Sequence, residues 1–203
     1  MSVTIGALRE SAPQETRVAL VPEVADKFVK EGARILLEHG AGERARFPDS
    51  LYKSVAWADS AAQVLHGADV LLSVQPLSLE QIAQLRDSAV VIGFMQAHAR
   101  GAEVRALQAR GITSFAMELV PRISRAQSMD ALSSQAAIAG YKAGLIAASH
   151  LQKFFPMLTT AAGTIRPAQG AGGAVIADHH PDPRRQPAGR AGIQHRLERR
   201  SLT

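Results

Sequence analysis

Residues 69–116 read DVLLSVQPLSLEQIAQLRDSAVVIGFMQAHARGAEVRALQARGITSFA. Three short apolar runs, Asp69–Val74, Val90–Phe94 and Ile112–Ala116, alternate with two stretches of helical spacing, Leu79–Arg86 and Glu103–Arg110, the second stopped by Gly111. Apolar runs this continuous suit strands covered on both faces. Strands that alternate with helices at this spacing require crossover connections, and crossovers build a parallel sheet. Open sheets of that kind bind ligands beyond the carboxyl ends of their strands, so candidate functional residues are sought there.

The pattern extends towards the amino terminus. Val3–Leu8 is another short β-branched run. Pro22 opens a helix, PEVADKFVKEG, with proline in its first turn and Gly32 as its stop. Ala33–Glu38 reads as the next strand, HGAGERARF as a turn region, and Ser50–Val55 and Ser60–His66 as two short helical stretches. The expected fold class is α/β, with a Rossmann-like or flavodoxin-like parallel sheet over residues 1–130. Beyond Ala116 the character changes. Met117–Asp130 (MELVPRISRAQSMD) is polar and reads as a loop. Asp130 is a good N-cap for a long connecting helix, ALSSQAAIAGYKAGLIAASHLQKFF, over residues 131–156, with Pro156 as its end. Small residues along it suit close packing. An apolar face of Ile138, Leu145, Ile146 and Leu151 is expected to lie open unless another element covers it.

The chain has 203 residues, of which 46% are hydrophobic and 20% charged, so a sizeable core is available and global disorder is not expected. Cysteine is absent, which excludes a disulfide scaffold, a thiolate zinc site and a cysteine nucleophile. The net charge is +5, yet residues 1–166 carry 17 basic and 15 acidic residues, while residues 167–203 carry six arginines and three acids. Most of the excess therefore lies in the tail and leaves the folded part nearly balanced. Aromatic residues make up only 4%, which argues against a stacking surface for single strands, and no nucleic-acid partner is expected. No segment approaches the run of about 18 apolar residues that a membrane span needs. The opening MSVTIGALRESAPQETR lacks the form of a secretory signal, so the expected location is the cytoplasm. Residues 169–203 hold recurrent Pro, Gly and Arg without a hydrophobic period and are expected to be disordered. Such a compositional break is what out-of-frame translation of GC-rich DNA yields.

The strongest local feature is PRISRAQSMDALSSQ, which places Arg122, Arg125, Gln127, Asp130, Ser133 and Ser134 between a strand end and a helix start. A helix start offers unpaired N–H groups to an anion or a carboxamide. Arginine suits a carboxylate or phosphate, and glutamine offers both a donor and an acceptor. The bland alternative is a surface loop whose Asp130 merely caps a helix. GAGERA at Gly40–Ala45 lacks the third glycine of a dinucleotide fingerprint and reads as a turn, and GAGGA at Gly170–Ala174 follows no strand. Arg17 either clamps an anion or pairs with Glu15 or Glu23. His98 lies just past a strand end, where catalytic groups collect, but reads more readily as a solvated loop histidine. His179 and His180 stand without further ligands, so no metal is expected.

MELVPRISRAQSMDALSSQAAIAGYKAG and FPMLTTAAGTIRPA resemble the NAD(H)-binding alpha subunits of proton-translocating NAD(P) transhydrogenases. RESAPQETRVALVPE and LLEHGAGERARFPDSLY are similar to the opening of those subunits, which is shared with alanine dehydrogenases. The resemblance covers residues 1–168. It implies two Rossmann-like subdomains joined by long helices, in a homodimer. It implies hydride transfer from NADH to NADP+, with NADP(H) held on a partner domain and a membrane domain coupling the transfer to proton movement. The other transhydrogenase subunits are then the partners, and the location is cytoplasmic and peripheral to the inner membrane. Matched position by position, Arg122, Gln127 and Asp130 fall in the loop that approaches the nicotinamide end of NAD(H), which makes them the catalytic candidates. With Ser133, at a carboxamide contact, they are also the cofactor-binding candidates. Direct hydride transfer needs orientation and closeness rather than an acid or a base.

Two departures qualify the resemblance. Alanine dehydrogenases carry Lys-Glu-Pro and a catalytic histidine in this region. Here the stretch reads Val74-Gln75-Pro76, and His98 does not align cleanly, which disfavours amino-acid chemistry. TAAGTIRPA is expected to lead into a strand and a glycine-rich pyrophosphate loop, yet AQGAGGAVIADHH stands there instead. The chain thus reads as a truncated subunit in which residues 157–168 begin a lost NAD-binding subdomain. Three readings stay open: a transhydrogenase subunit, an inactive fragment without stable NAD binding, and an alanine dehydrogenase-like oxidoreductase.

Overall fold

The computed structural model describes residues 2–167. The tail at 169–203, with its expected disorder, the GAGGA stretch, His179 and His180, lies outside the described residues. The chain divides into two compact units, Met1–Leu132 and Ser133–Thr203.

In the first unit, six described strands form one parallel sheet: β1 (Thr4–Ala7), β2 (Arg34–Glu38), β3 (Ala56–Ala58), β4 (Val70–Ser73), β5 (Val90–Gly93) and β6 (Thr113–Ala116). Their spatial order is β3-β2-β1-β4-β5-β6, and every neighbouring pair is parallel. The winding reverses between β1 and β4, which is the switch point of a doubly wound Rossmann-like sheet. Four helices make crossovers: α1 (Pro22–Lys30), α2 (Ala61–Gly67), α3 (Leu79–Gln84) and α4 (Gly101–Ala109).

Local chemistry sets these boundaries. Pro22 begins α1, and Gly32 follows it at φ +94°, a left-handed turn that glycine adopts without strain. Ser78 and Gln81 form a reciprocal capping box at the start of α3. The core has two parts. Val64, Leu65, Leu71, Ile82, Val91 and Leu107 bring α2, α3 and α4 against the sheet. Ile5, Leu20, Ala25, Ile35 and Leu37 bring α1 against it, with Tyr52 donating its hydroxyl to the Leu20 carbonyl at 2.9 Å.

The structure corrects three expectations. Ser50–Val55 is not helical: a single 3-10 turn spans Asp49–Leu51, and β3 follows at Ala56–Ala58. Three residues of Ala-Trp-Ala are too short to show a period, and the sheet pairing of Leu36–Glu38 with them makes the strand. Met117–Asp130 is not featureless, since 3-10 helices occupy Met117–Leu119 and Ser124–Met129. The connecting helix α5 spans Ala131–His150 and ends well before Pro156. A proline bars the helix at the preceding residue and obstructs the carbonyl four back, at Gln152, so Pro156 does not set this end.

The second unit contains most of α5, followed by an antiparallel hairpin of β7 (Leu158–Thr160) and β8 (Gly163–Ile165) that the sequence reading did not include. Ala161 and Ala162 form its two-residue turn, with Gly163 at φ +129°. Ile138, Leu145, Ile146 and Leu151 are exposed.

Gly6 in β1 packs tightly against the end of α2 and its cap residue. A Cβ there would lie 2.7 Å from the Ala68 Cβ and 2.8 Å from the Val64 Cγ1. Gly6→Ala is expected to destabilise the fold by about 1–3 kcal/mol through overpacking. An unchanged urea midpoint would contradict this packing.

Candidate functional site

Two loops meet at the switch point: the chain leaving β1 (Leu8–Ala12) and the chain leaving β4 (Val74–Leu77). The Glu10 carboxylate is buried and accepts the backbone N–H groups of Val74 at 2.6 Å and Gln75 at 3.2 Å. Burial pushes its pKa above the ordinary range, against the opposing pull of those two amides. Glu15 is buried beside it. It accepts from the backbone N–H, Nε and Nη2 of Arg17 at 3.0, 2.8 and 2.6 Å, and from the Gln75 side-chain amide. The Arg17 guanidinium holds the Glu15 carboxyl down at about 2. Of the two readings of Arg17, the ion pair with Glu15 is the one formed, while Glu23 pairs with Lys27.

The crevice here holds about 180 Å³ and is lined by both loops, Gln81 and Arg100. It is not built to cradle a diphosphate. A phosphate cradle presents free backbone N–H groups from a glycine-rich turn. In this sheet the turn after β1 carries two buried acids, and one of them already takes the N–H groups of the turn after β4.

The second locus is the chain beyond β6. The 3-10 turn Met117–Leu119 leads through Val120 and Pro121 into the second turn, Ser124–Met129. Backbone bonds fix this segment: Ile123 N–H to the Pro121 carbonyl at 2.9 Å, Ala126 to Ile123 at 2.9 Å, and Asp130 to Gln127 at 3.2 Å. Ala126 is buried, whereas Arg122 and Gln127 are exposed and Asp130 is half-buried immediately before α5. The i,i+3 spacing of Gln127 and Asp130 puts them on one side of a 3-10 turn. Ser133 is the third residue of α5, exposed, and belongs to the second unit.

Other residues singled out in the sequence fall elsewhere. His98 is exposed in the turn after β5. GAGERA is a structural turn, where a Cβ on Gly42 would meet the Phe47 carbonyl at 2.4 Å. Among the described residues, no group of three or more His, Asp or Glu side chains could hold a metal ion, and no helix is long and apolar enough to cross a membrane. The sequence reading missed Glu10 and Glu118, each an acid just past an apolar strand. That position is itself a signal, because a carboxylate there meets the N–H groups of the adjacent strand's exit.

Two outcomes follow. Glu10→Ala leaves the buried Val74 N–H without an acceptor and is expected to cost about 1–3 kcal/mol in urea unfolding. Glu15 has a folded pKa of about 2, below its ordinary 4.5. Its contribution is therefore complete above pH 4.5 and is lost as the pH falls towards 2, opposite in sense to the raised Glu10. Thermal melts of Glu15→Gln should show a flatter acid limb than the unaltered chain; an equal slope would refute the assignment.

The family described as alanine dehydrogenase/PNT, N-terminal domain, matches residues 6–139. The first of the polypeptides that make up NAD(P) transhydrogenase subunit alpha in Rhodospirillum rubrum is 44% identical over 168 residues, covering 79% of this chain and 44% of that protein. Alanine dehydrogenase of Bacillus subtilis is more distant, at 29% over 151 residues, covering 73% of this chain and 39% of that protein. A solved transhydrogenase from Sinorhizobium meliloti superposes with a TM-score of 0.75 at 43% identity, covering 81% of this chain and 48% of that one. The chain thus spans less than half the length of these relatives. With the match reaching from β1 into α5, the chain belongs to the alanine dehydrogenase/PNT N-terminal domain family.

Proposed function

We propose that this chain serves in an NAD(P) transhydrogenase alpha subunit, and that residues 121–130 meet the nicotinamide end of NAD(H). The observation that carries this reading is the segment itself. Three polar side chains of different chemistry, Arg122, Gln127 and Asp130, stand on a turn-bonded stretch past the carboxyl end of β6, in a chain 44% identical to a transhydrogenase alpha subunit. NAD(H), when bound, supplies the hydride. The Gln127 amide offers a donor and an acceptor, the fit for a carboxamide. The Asp130 carboxylate accepts from an N–H or a ribose hydroxyl, and the exposed Arg122 guanidinium donates to an anionic or carbonyl oxygen. Ser133 is a further candidate for the carboxamide. None of these groups needs to move a proton, because orientation suffices for direct transfer between two nicotinamides.

The wider assignment follows from the same reading. NADP(H) sits on a partner domain, a membrane domain couples the transfer to proton movement, and the alpha subunit works as a dimer at the membrane surface. An alanine dehydrogenase role is disfavoured. Gln75 is uncharged and bonded to Glu15, and so offers no cation to a substrate carboxylate.

On this reading residues 121–130 meet the nicotinamide end, while the switch-point crevice, with its amides already taken by Glu10, offers the diphosphate no cradle. NADH is therefore expected to bind this chain alone at about 1 mM. Arg122→Ala and Gln127→Ala should each weaken it roughly three- to tenfold without moving the thermal midpoint. Nicotinamide fluorescence titration measures this. Micromolar binding, or affinity indifferent to both substitutions, would overturn the reading.

A further inference from the structure

The Glu118 carboxylate lies against the loop that follows β5. One oxygen accepts the Met95 N–H at 3.0 Å, and the other accepts those of Met95 at 3.2 Å and Ala97 at 3.4 Å. The Gln96 N–H also faces it. Gln96 has φ +50°, a left-handed conformation that a non-glycine residue rarely adopts. A left-handed residue amid successive N–H groups makes a concave nest that favours an anion. Here the anion is internal: a side chain of the 3-10 turn Met117–Leu119 fills the nest of residues 95–97.

Between Glu118 and Arg122 stand only Leu119, Val120 and Pro121. Val120 is extended, at φ −59° and ψ 124°, as a residue before proline must be, and Pro121 fixes its own φ. Arg122 can therefore lie no further than about 14 Å along the chain from the anchor. We infer that Glu118 is a positioning residue: by seating its carboxylate in the 95–97 nest, it fixes where residues 121–130 stand. The anchoring is a matter of geometry. Its consequence for cofactor binding rests on the proposed function.

Trypsin reads the anchoring directly, because Arg122 and Arg125 are exposed cleavage sites in the anchored segment, while Lys30 and Lys53 are exposed sites far from it in sequence. The full chain and its Glu118→Ala and Glu118→Gln variants are digested briefly, and peptides ending at the four sites are quantified by mass spectrometry. Glu118→Ala should speed cleavage after Arg122 and Arg125 about tenfold, with rates at Lys30 and Lys53 unchanged, since local opening alone is eased. Glu118→Gln, which keeps one acceptor oxygen without the charge, should fall between the two. NADH affinity, measured well below the thermal midpoint of each variant, should decline in the same order. Unchanged rates after Arg122 and Arg125, or equal acceleration at all four sites, overturns the inference. If Glu118→Ala does not fold, Glu118→Gln against the unaltered chain decides by the same ratio. Failure of the unaltered chain to bind NADH would refute the proposed function and leave the cleavage ratio to judge the anchor.

Discussion

A buried carboxylate joins the two strand exits that the winding of this sheet drives apart. At the switch point the chain leaves β1 towards one edge and β4 towards the other. Parallel strands that part in this way leave a gap, and backbone N–H groups facing the gap need acceptors. Glu10 supplies them to Val74 and Gln75, and Gln75 in turn reaches Glu15, which Arg17 holds. The crevice that other doubly wound sheets give to a phosphate is lined here by a buried carboxylate, with Arg9 and Arg100 at its walls. In the proposed function, ligand recognition falls instead beyond the edge strand β6, which leads into the 121–130 segment.

The same device recurs at β5 and β6. An acid just past one strand satisfies the amides leaving its neighbour, and the carboxylate is internal each time. Glu10 thus links the turns after β1 and β4, and Glu118 links the 3-10 turn after β6 to the loop after β5. The two differ in the state of the carboxyl. Glu10 is pushed up, with burial the largest influence, while at Glu118 burial also opposes the charge but several amides outweigh it and the carboxyl lies below its ordinary range.

Much of this was legible beforehand. Continuous apolar runs at Val3–Leu8, Ala33–Glu38, Asp69–Val74, Val90–Phe94 and Ile112–Ala116 correspond to β1, β2, β4, β5 and β6, and Gly32 and Gly111 stand at left-handed stops. The family was legible too, through the stretch from Met117 into α5. What escaped depends on partners distant in sequence. The strand Ala56–Ala58 exists through pairing with Leu36–Glu38, and the links of Glu10 to Val74 and Glu118 to Met95 span 64 and 23 residues. Periodicity carries no record of such pairs. Arg122, Gln127 and Asp130 were legible as one segment, but not the turn bonds that shape it.

The ligand surface proposed for this chain lies at the β6 exit and not at the switch-point crevice. Mapping backbone amide shifts of the full chain against millimolar NADH tests it most directly. Perturbations should concentrate in residues 117–130 and the amides of 95–97, with Leu8–Ala12 and Val74–Leu77 silent. Perturbations centred on those two switch-point loops, or none in residues 117–130, would contradict it.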